Sequence, residues 1–149
     1  MSVKVKIEGL AELDFALTEL PKSTAKATLR RVLKQAAAPI EAAMVAKAPK
    51  LTGALKISIR SGTKLTKRQQ RLAKKEGKSS SEIYVGTADP AGIPQEFGWI
   101  EGAAHPFARP AWEETQDQAL AIIRENLATE IEKSRSRLAA KAARLAAKG

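Results

Sequence analysis

The sequence predicts an α+β fold in which a small antiparallel sheet is packed by two long helices. Three short segments alternate apolar and polar residues with a period of two, which is typical of strands buried on one face. Two longer segments repeat apolar residues every three or four positions, which is typical of amphipathic helices. Because each strand and each helix has one apolar face, the helices and the sheet can cover one another.

The predicted strands lie in three separate parts of the chain. The first is Val3–Ile7, where Val and Ile alternate with Lys. The second is Leu55–Ile59, which follows a Thr-Gly turn and has Leu55, Ile57 and Ile59 on one face. The third is Glu82–Thr87. It is interpreted as the strand that returns to the sheet after a polar excursion.

The predicted helices fill most of the remaining chain. A short amphipathic helix over Leu10–Leu20 is closed by a proline. The first long helix is predicted over Ser23–Ala48 with Ser23 as its N-cap. Pro39 lies inside it and predicts a kink or break near Ala36. The second long helix is predicted to begin at Pro110, to pack through Ile131, and to extend toward the C-terminus.

Positive charge is concentrated in two segments of a chain whose formal net charge is +10. Residues 60–78 hold eight Lys or Arg and one acid, and residues 133–148 hold six Lys or Arg and no acid. The first segment coincides with a polar excursion over residues 61–81, which we call the basic arm. Its few apolar residues predict either a hairpin-like arm or a partly disordered loop, mobile in the isolated subunit.

The second charged segment defines the C-terminal tail, residues 133–149. It consists mainly of Ala, Lys, Arg and Leu, which are strong helix formers, but its apolar stripe is thin. We therefore expect this tail to be helical only if something packs against it. Residues 1–132 are expected to form a single α+β domain, because this length suits one hydrophobic core.

Clustered positive charge has two interpretations, contact with a polyanion or a solvated surface that keeps an assembly soluble. The candidate DNA-facing residues are on the basic arm: Lys67, Arg68, Arg71, Lys74 and Lys75. A single-strand binder would place exposed aromatic rings among such residues. Both basic segments lack aromatic residues. Any contact with nucleic acid should therefore be non-specific and strongly dependent on salt.

Aromatic residues are concentrated instead in Gln95–Trp112. This stretch holds two of the three phenylalanines, both tryptophans and the only histidine. Two prolines brace it, so it is predicted to be a rigid loop that leads into the last helix. Phe97 and Phe107 are predicted to be core, whereas Trp99 lies in a turn-like segment and is the candidate for a subunit contact. Arg109 is expected to clamp either a partner carboxylate or the chain's own backbone.

The sequence offers little for catalysis. It has no cysteine and one histidine, and no phosphate loop or Ser-His-Asp set can be assembled. Glu96, Glu101 and His105 are close in sequence, but a metal or catalytic site needs several convergent ligands, so a structural hydrogen-bonding role is favoured. We predict no catalytic residues, no metal, no cofactor and no enzymatic activity. No apolar run approaches the ~20 residues that span a bilayer, so no membrane partner is expected.

The order of several motifs resembles the tail-component family of long-tailed bacteriophages, the small neck proteins that complete the tail and join it to the head. The resemblance covers about residues 5–130. The motifs are Gly9-Leu10 with Leu13, Ala46-Lys47-Ala48-Pro49 before Thr52-Gly53-Ala54-Leu55, Ser58-Ile59, Glu96-Phe97-Gly98, and Pro106-Phe107-Ala108-Arg109-Pro110-Ala111 before the final helix.

The resemblance implies a non-enzymatic virion protein of the head–tail junction, assembled in the host cytoplasm. It implies a homo-oligomeric ring, with a hexamer favoured, through which double-stranded DNA passes. The expected partners are a head-side connector protein and a tail-side tube or terminator protein. Trp99, Glu96, Arg109 and Phe107 are then the candidate subunit or partner contacts, because interface cores favour Trp, Phe and Arg. The alternative is a small basic nucleic-acid-binding protein without sequence specificity.

Overall fold

The computed structural model describes residues 11–50, 53–73 and 80–149, with the side chains of residues 11–14 excepted. The elements in chain order are α1 (Ala11–Thr18), α2 (Lys22–Lys47), α3 (Ala54–Ser58), β1 (Ile59–Gly62), α4 (Lys67–Leu72), β2 (Tyr84–Thr87), α5 (Gly92–Phe97) and α6 (Ala108–Lys148). The α+β class predicted from the sequence is confirmed, with a small antiparallel sheet and two long helices. The predicted strand Val3–Ile7 lies outside the described residues.

The two long helices pack against each other in an antiparallel pair. Late residues of α2 contact early residues of α6, as in the ion pair between Lys47 and Glu114. Early residues of α2 contact late residues of α6, as in the 2.7 Å hydrogen bond between the hydroxyls of Thr28 and Ser134. At 1.5 Å per residue α6 is about 60 Å long and α2 about 40 Å. Part of α6 therefore extends beyond α2.

Apolar side chains gather in two clusters along this helix pair. One lies at the start of α6 and includes the buried residues Met44, Ala48, Leu55, Ile59, Phe107 and Ala111. The other includes Leu20, Val32, Leu127 and Ile131, with Leu17 of α1 and Leu138 packed against it. The predicted apolar stripes of both long helices are therefore largely confirmed, and the short first helix packs as expected.

A set of hydrogen-bonded polar side chains links α2 and α6 near the second apolar cluster. Arg31 donates from Nε to the Glu130 carboxylate at 3.0 Å and from Nη2 to the Ser134 hydroxyl at 3.0 Å. The hydrogen bond from Arg31, followed by that from Lys133, holds the pKa of Glu130 below its ordinary value. A buried polar set of this kind fixes how the two helices align, because any other alignment leaves polar atoms without partners.

The sheet contains β1 and β2, which pair antiparallel with Ile59 opposite Thr87 and Gly62 opposite Tyr84. The predicted third strand is thereby confirmed from Tyr84 to Thr87, and the basic arm connects the two paired strands. Whether the arm is mobile stays a prediction. The predicted strand Leu55–Ile59 is wrong. Residues 54–58 form the helical turn α3, and the strand begins only at Ile59.

The error has a clear physical cause. Leu55 and Ile59 are four residues apart, and this spacing places them on one side of a helical turn as well as on one face of a strand. Both are buried, at 6% and 3% exposure, whereas Ile57 between them is 73% exposed. In a strand all three side chains would share one face. Exposing Ile57 while burying its neighbours is what the helical turn achieves.

Three predictions about the long helices need correction. Ser23 does not cap α2, which has Pro21 at the N-cap position and no side-chain capping bond. The helix continues through Pro39 without a break, from Lys22 to Lys47. The C-terminal tail is helical to Lys148 although residues 139–149 are all exposed, so helicity there does not require packing. Strong helix formers that extend an existing helix avoid the cost of nucleation.

Candidate subunit-contact site

The start of α6 is capped by a carboxylate from the preceding helix. Glu96 near the end of α5 accepts hydrogen bonds from the backbone N–H groups of Phe107 and Ala108 at 2.8 and 2.9 Å through Oε2. Its Oε1 accepts from the N–H of Arg109 at 3.0 Å. The first N–H groups of a helix have no partner within the helix, and negative charge is stabilised there. One side chain therefore satisfies three of them.

Two opposing effects set the pKa of the Glu96 carboxyl. Burial is the largest single effect and raises the pKa, because Glu96 is only 8% exposed. The hydrogen bonds from the three backbone N–H groups and the charge of Arg109 together outweigh burial, and the net result is a lowered pKa. Glu96 is therefore held as a carboxylate, which is the form that caps the helix.

Arg109 and Phe97 extend this arrangement to the surface. The Arg109 guanidinium carbon lies 5.8 Å from the centre of the Phe97 ring, within range of a cation–π interaction. Its Nε is 4.0 Å from Oε1 of Glu96. Phe97 itself is 68% exposed, so the prediction that it is a core residue is wrong. It lies on the outer side of α5, because the inner side carries the buried Glu96.

A tight turn follows α5 and presents Trp99. Gly98 ends α5 with a φ of +78°, a conformation that favours glycine, and donates its N–H to the carbonyl of Pro94 at 2.7 Å. Trp99 and Gly102 then exchange two backbone hydrogen bonds of 3.1 Å. The indole lies so close over Gly102 that a Cβ there would overlap the ring. The turn thus holds Trp99 in place while leaving it 53% exposed.

These elements gather exposed apolar side chains at one end of the helix pair. Ile93 and Phe97 are four residues apart on α5, Trp99 and Ile100 are in the turn, and Trp112 is one helical turn after Arg109 on α6. Their exposed fractions range from 40% for Trp112 to 104% for Ile100. We call these five residues, Ile93, Phe97, Trp99, Ile100 and Trp112, the end patch. Exposed apolar side chains that form a contiguous patch mark binding surfaces, so the end patch is the candidate contact surface.

The four predicted contact residues are thus close together but differ in exposure. Trp99 and Arg109 lie at the surface, and Arg109 has 63% of its side chain exposed. Phe107 is 2% exposed and belongs to the first apolar cluster, which confirms its prediction as core. Glu96 is engaged within its own chain through both oxygens. A direct role for Glu96 or Phe107 in a contact stays a prediction.

Ile93 and Ile100 belong to the end patch but were not predicted from the sequence. Ile100 stands beside Trp99 in the turn, and Ile93 precedes Phe97 by four residues. Ile93 could have been found from the assumption that α5 is a helix, since an i, i+4 pair shares a face, whereas Ile100 lies in the turn after α5 and has no such periodic signal. The sequence was instead interpreted as a loop there, because a glycine and a proline interrupt any helical periodicity.

The predicted basic residues are found in a different part of the molecule. Lys67, Arg68 and Arg71 lie on α4 within the basic arm, and every residue of α4 is exposed. Thr66 and Gln69 form a capping box at its start, and Gln69 donates to the backbone carbonyl of Thr87 at 3.4 Å. Lys74 and Lys75 lie outside the described residues.

Within residues 11–50, 53–73 and 80–149, no group of three or more His, Cys, Asp or Glu side chains is arranged to hold a metal ion. Over the same part of the chain, no helix combines the length and the hydropathy that crossing a bilayer requires.

Comparison with known proteins agrees with the resemblance noted from the sequence. A family model, HK97-gp10-like, matches residues 11–98 and is described as "Bacteriophage HK97-gp10, putative tail-component". The match covers more than half of the chain and ends just after Phe97, so the Pro106–Ala111 motif lies beyond it. Comparisons with curated proteins and with solved structures returned no significant match. The chain belongs to the HK97-gp10-like family of bacteriophage tail components, and its role is that of a structural protein of the phage tail.

Proposed function

We propose that this protein is a non-enzymatic component of the head–tail junction whose copies form a ring, with a hexamer favoured, around the path of the DNA. In this proposal the body of the subunit is residues 1–132 and the C-terminal tail is an extension of it. The ring lies between a head-side connector protein and a tail-side tube or terminator protein. The single observation that supports it best is the end patch, on a chain that belongs to a family of tail components.

The end patch suits a contact between copies. A closed ring uses heterologous contacts, in which one surface of a subunit meets a different surface of its neighbour. Trp, Phe and Arg are the residue types enriched at the centres of such contacts. Trp99, Phe97 and Arg109 supply them here, and the glycine-bounded turn and the Glu96 cap hold them in a fixed geometry. A pre-ordered surface loses less conformational entropy when it binds.

The proposal is tested by the mass of the full chain in solution. Light scattering should show a species of six times the 16.0 kDa monomer mass, either alone at high concentration or after addition of the neighbouring virion proteins. Ile100→Ser should abolish this species, because it removes apolar surface from the proposed contact. Ile100 is fully exposed, so the change should leave the fold of the subunit intact. Trp99→Ala should also reduce assembly, with little effect on the melting temperature.

A matched control uses exposed apolar residues outside the end patch. Ile57 and Leu72 are 73% and 84% exposed, so Ile57→Ser and Leu72→Ser remove similar apolar surface elsewhere. Both variants should assemble normally. If they disrupt the oligomer and Ile100→Ser does not, the subunit contact lies elsewhere. A chain that stays monomeric at all concentrations and with its neighbouring proteins would refute the ring.

A further inference from the structure

The part of α6 that extends beyond the body carries an ordered line of positive charge. Hydrogen bonds join Gln35 to Asn126 and Thr28 to Ser134, so the first residue of α2, Lys22, lies level with about residue 139 of α6. Residues 139–149 are all exposed and lie past this point. No acid occurs after Glu132. No ion pair among the described residues explains the arrangement of the cations in this part of the helix.

Four cations of the C-terminal tail share one side of the helix, and three of them lie beyond residue 139. They are Arg137, Lys141, Arg144 and Lys148, at successive steps of four, three and four residues. At 3.6 residues per turn they fall within an arc of about 60°, and at 1.5 Å per residue they span about 16 Å. We call them the cationic stripe. None of them forms an ion pair with any other residue that the structure describes.

The cationic stripe contrasts with the neighbouring cations of the same helix. Lys133 bonds to Glu130 at 3.2 Å, and Arg135 bonds to Glu19 at 2.7 Å. Arg135 thus joins the helix to the body and Lys133 pairs within α6, whereas the four residues of the cationic stripe form no ion pair with any described residue. Like charges at steps of three or four residues repel and weaken a helix. An arrangement that destabilises the free helix is expected to be stabilised by a bound anion.

We propose that the cationic stripe binds the phosphate backbone of duplex DNA without reading its sequence. The stripe offers only charge at regular steps, since Leu138 and Leu145 lie outside its arc. Protein partners bind largely through apolar and aromatic cores, whereas a phosphate backbone presents charge alone at regular intervals along a line. The absence of aromatic residues from the tail excludes base stacking as the means of binding.

This site is distinct from the basic arm, which was the sequence-based candidate. The cations of α4 lie on a six-residue helix between β1 and β2, whereas the cationic stripe lies on the extension of a helix of 41 residues. The inference rests on the DNA partner in the proposed function and adds the surface that contacts it. It does not require ring formation, because a single subunit already carries the stripe.

The test measures binding of the full chain to a duplex oligonucleotide by fluorescence anisotropy over a range of salt concentrations. Changing Arg137, Lys141, Arg144 and Lys148 to Gln should weaken binding at low salt. The slope of log K against log salt should become shallower by about 3–4, since each phosphate contact contributes about 0.9. A second variant changes Lys67, Arg68 and Arg71 to Gln, and it should change the slope less.

A rotated variant separates the stripe from net charge. It combines Lys141→Ala with Ala139→Lys and Arg144→Ala with Ala143→Arg. It keeps the charge and composition of the chain but places two cations on the opposite side of the helix. It should bind DNA more weakly than wild type, with a salt slope shallower by about 2, because two of the four phosphate contacts are lost. Binding equal to wild type would overturn the proposal, because charge alone would then be sufficient.

Amide exchange supplies an independent measurement. Duplex DNA should slow exchange in residues 139–147 of the wild-type chain and not of the rotated variant. If the stripe variants bind DNA normally but lose contact with an acidic virion protein, the stripe is a protein contact and the proposal fails. If the protein forms rings but its DNA binding does not depend on the cationic stripe, this inference is refuted and the ring is not. If DNA binding depends on the stripe but the protein never forms a ring, the ring is refuted and this inference is not.

Discussion

The two ends of α6 are helical for different reasons. At its start Phe107 and Ala111 are almost fully buried, and the Glu96 carboxylate satisfies three backbone N–H groups. At its other end residues 139–149 are exposed, and the chain is helical because Ala, Leu, Lys and Arg favour that state and extend an existing helix. Contacts with other elements determine one end, and the local sequence determines the other.

Because its two ends differ in packing, α6 is suited to two different roles along its length. The start of α6 is fixed to α5 and the turn, so the end patch has a defined shape, as a specific contact between subunits requires. At the far end residues 139–149 are exposed, so they are accessible to a partner that presents charge rather than shape. Changes at the two ends should therefore affect different quantities, global stability at the start and local stability at the end.

The largest expected effect is that of Phe107→Ala. Removing a buried Phe from a core costs about 3–5 kcal/mol, which is a large fraction of the stability of an ordinary domain. The variant should lower the melting temperature by ten degrees or more, on the order expected for such a loss, as followed by circular dichroism. Phe97→Ala is the matched control, because Phe97 is 68% exposed. Equal destabilisation by the two changes would contradict the burial described here.

A smaller effect is expected from the helix cap and should depend on pH. The folded-state pKa of Glu96 is lowered, so its contribution to stability is present above the unfolded pKa and is lost as the pH falls through the folded pKa. Glu96→Gln removes the charge that the three N–H groups bind and should cost about 1–3 kcal/mol at neutral pH.

Urea unfolding at neutral and acid pH measures this contribution. The difference in stability between Glu96→Gln and wild type should shrink as the pH falls through the lowered folded-state pKa of Glu96, because the wild-type carboxyl then becomes protonated. Glu130 also has a lowered pKa and should retain its own acid dependence in this variant. Glu101→Gln is the control, since Glu101 is exposed in the turn. A difference that is independent of pH would argue against a charged cap.

The same contrast explains which features the sequence could reveal. Strong periodicity located both long helices, and Leu17, Val32, Leu127 and Ile131 pack as their spacing predicts. Resemblance to the family agreed with the family match over residues 11–98. These features depend on the local sequence pattern, or on motifs that can be recognised without knowing which distant residues are in contact in the fold.

The features that escaped prediction depend on distant contacts. Leu55 and Ile59 fit a strand and a helical turn equally, and only packing against Met44 and Phe107 decides between them. The sequence predicted Phe97 to be a core residue. In the structure Glu96 lies on the inner side of α5, where it caps α6, and Phe97 lies on the outer side. The carboxylate that caps α6 lies eleven residues before the first N–H that it binds. A search for a capping residue immediately before the helix could not find it.

The smallest global effect is expected from Ala143→Gly, in the part of α6 beyond the body. Glycine in a helix interior costs about 1 kcal/mol relative to alanine. Because residues 139–149 are all exposed, this cost should appear as faster amide exchange in the tail while the melting temperature is unchanged. Ala119→Gly makes the same chemical change at a position that is 5% exposed. There the helix is fixed by packing, so the cost should appear in global unfolding as well. If Ala143→Gly lowers the melting temperature as much as Ala119→Gly, the tail is packed against the subunit in solution, and the two ends of α6 do not differ in the way described.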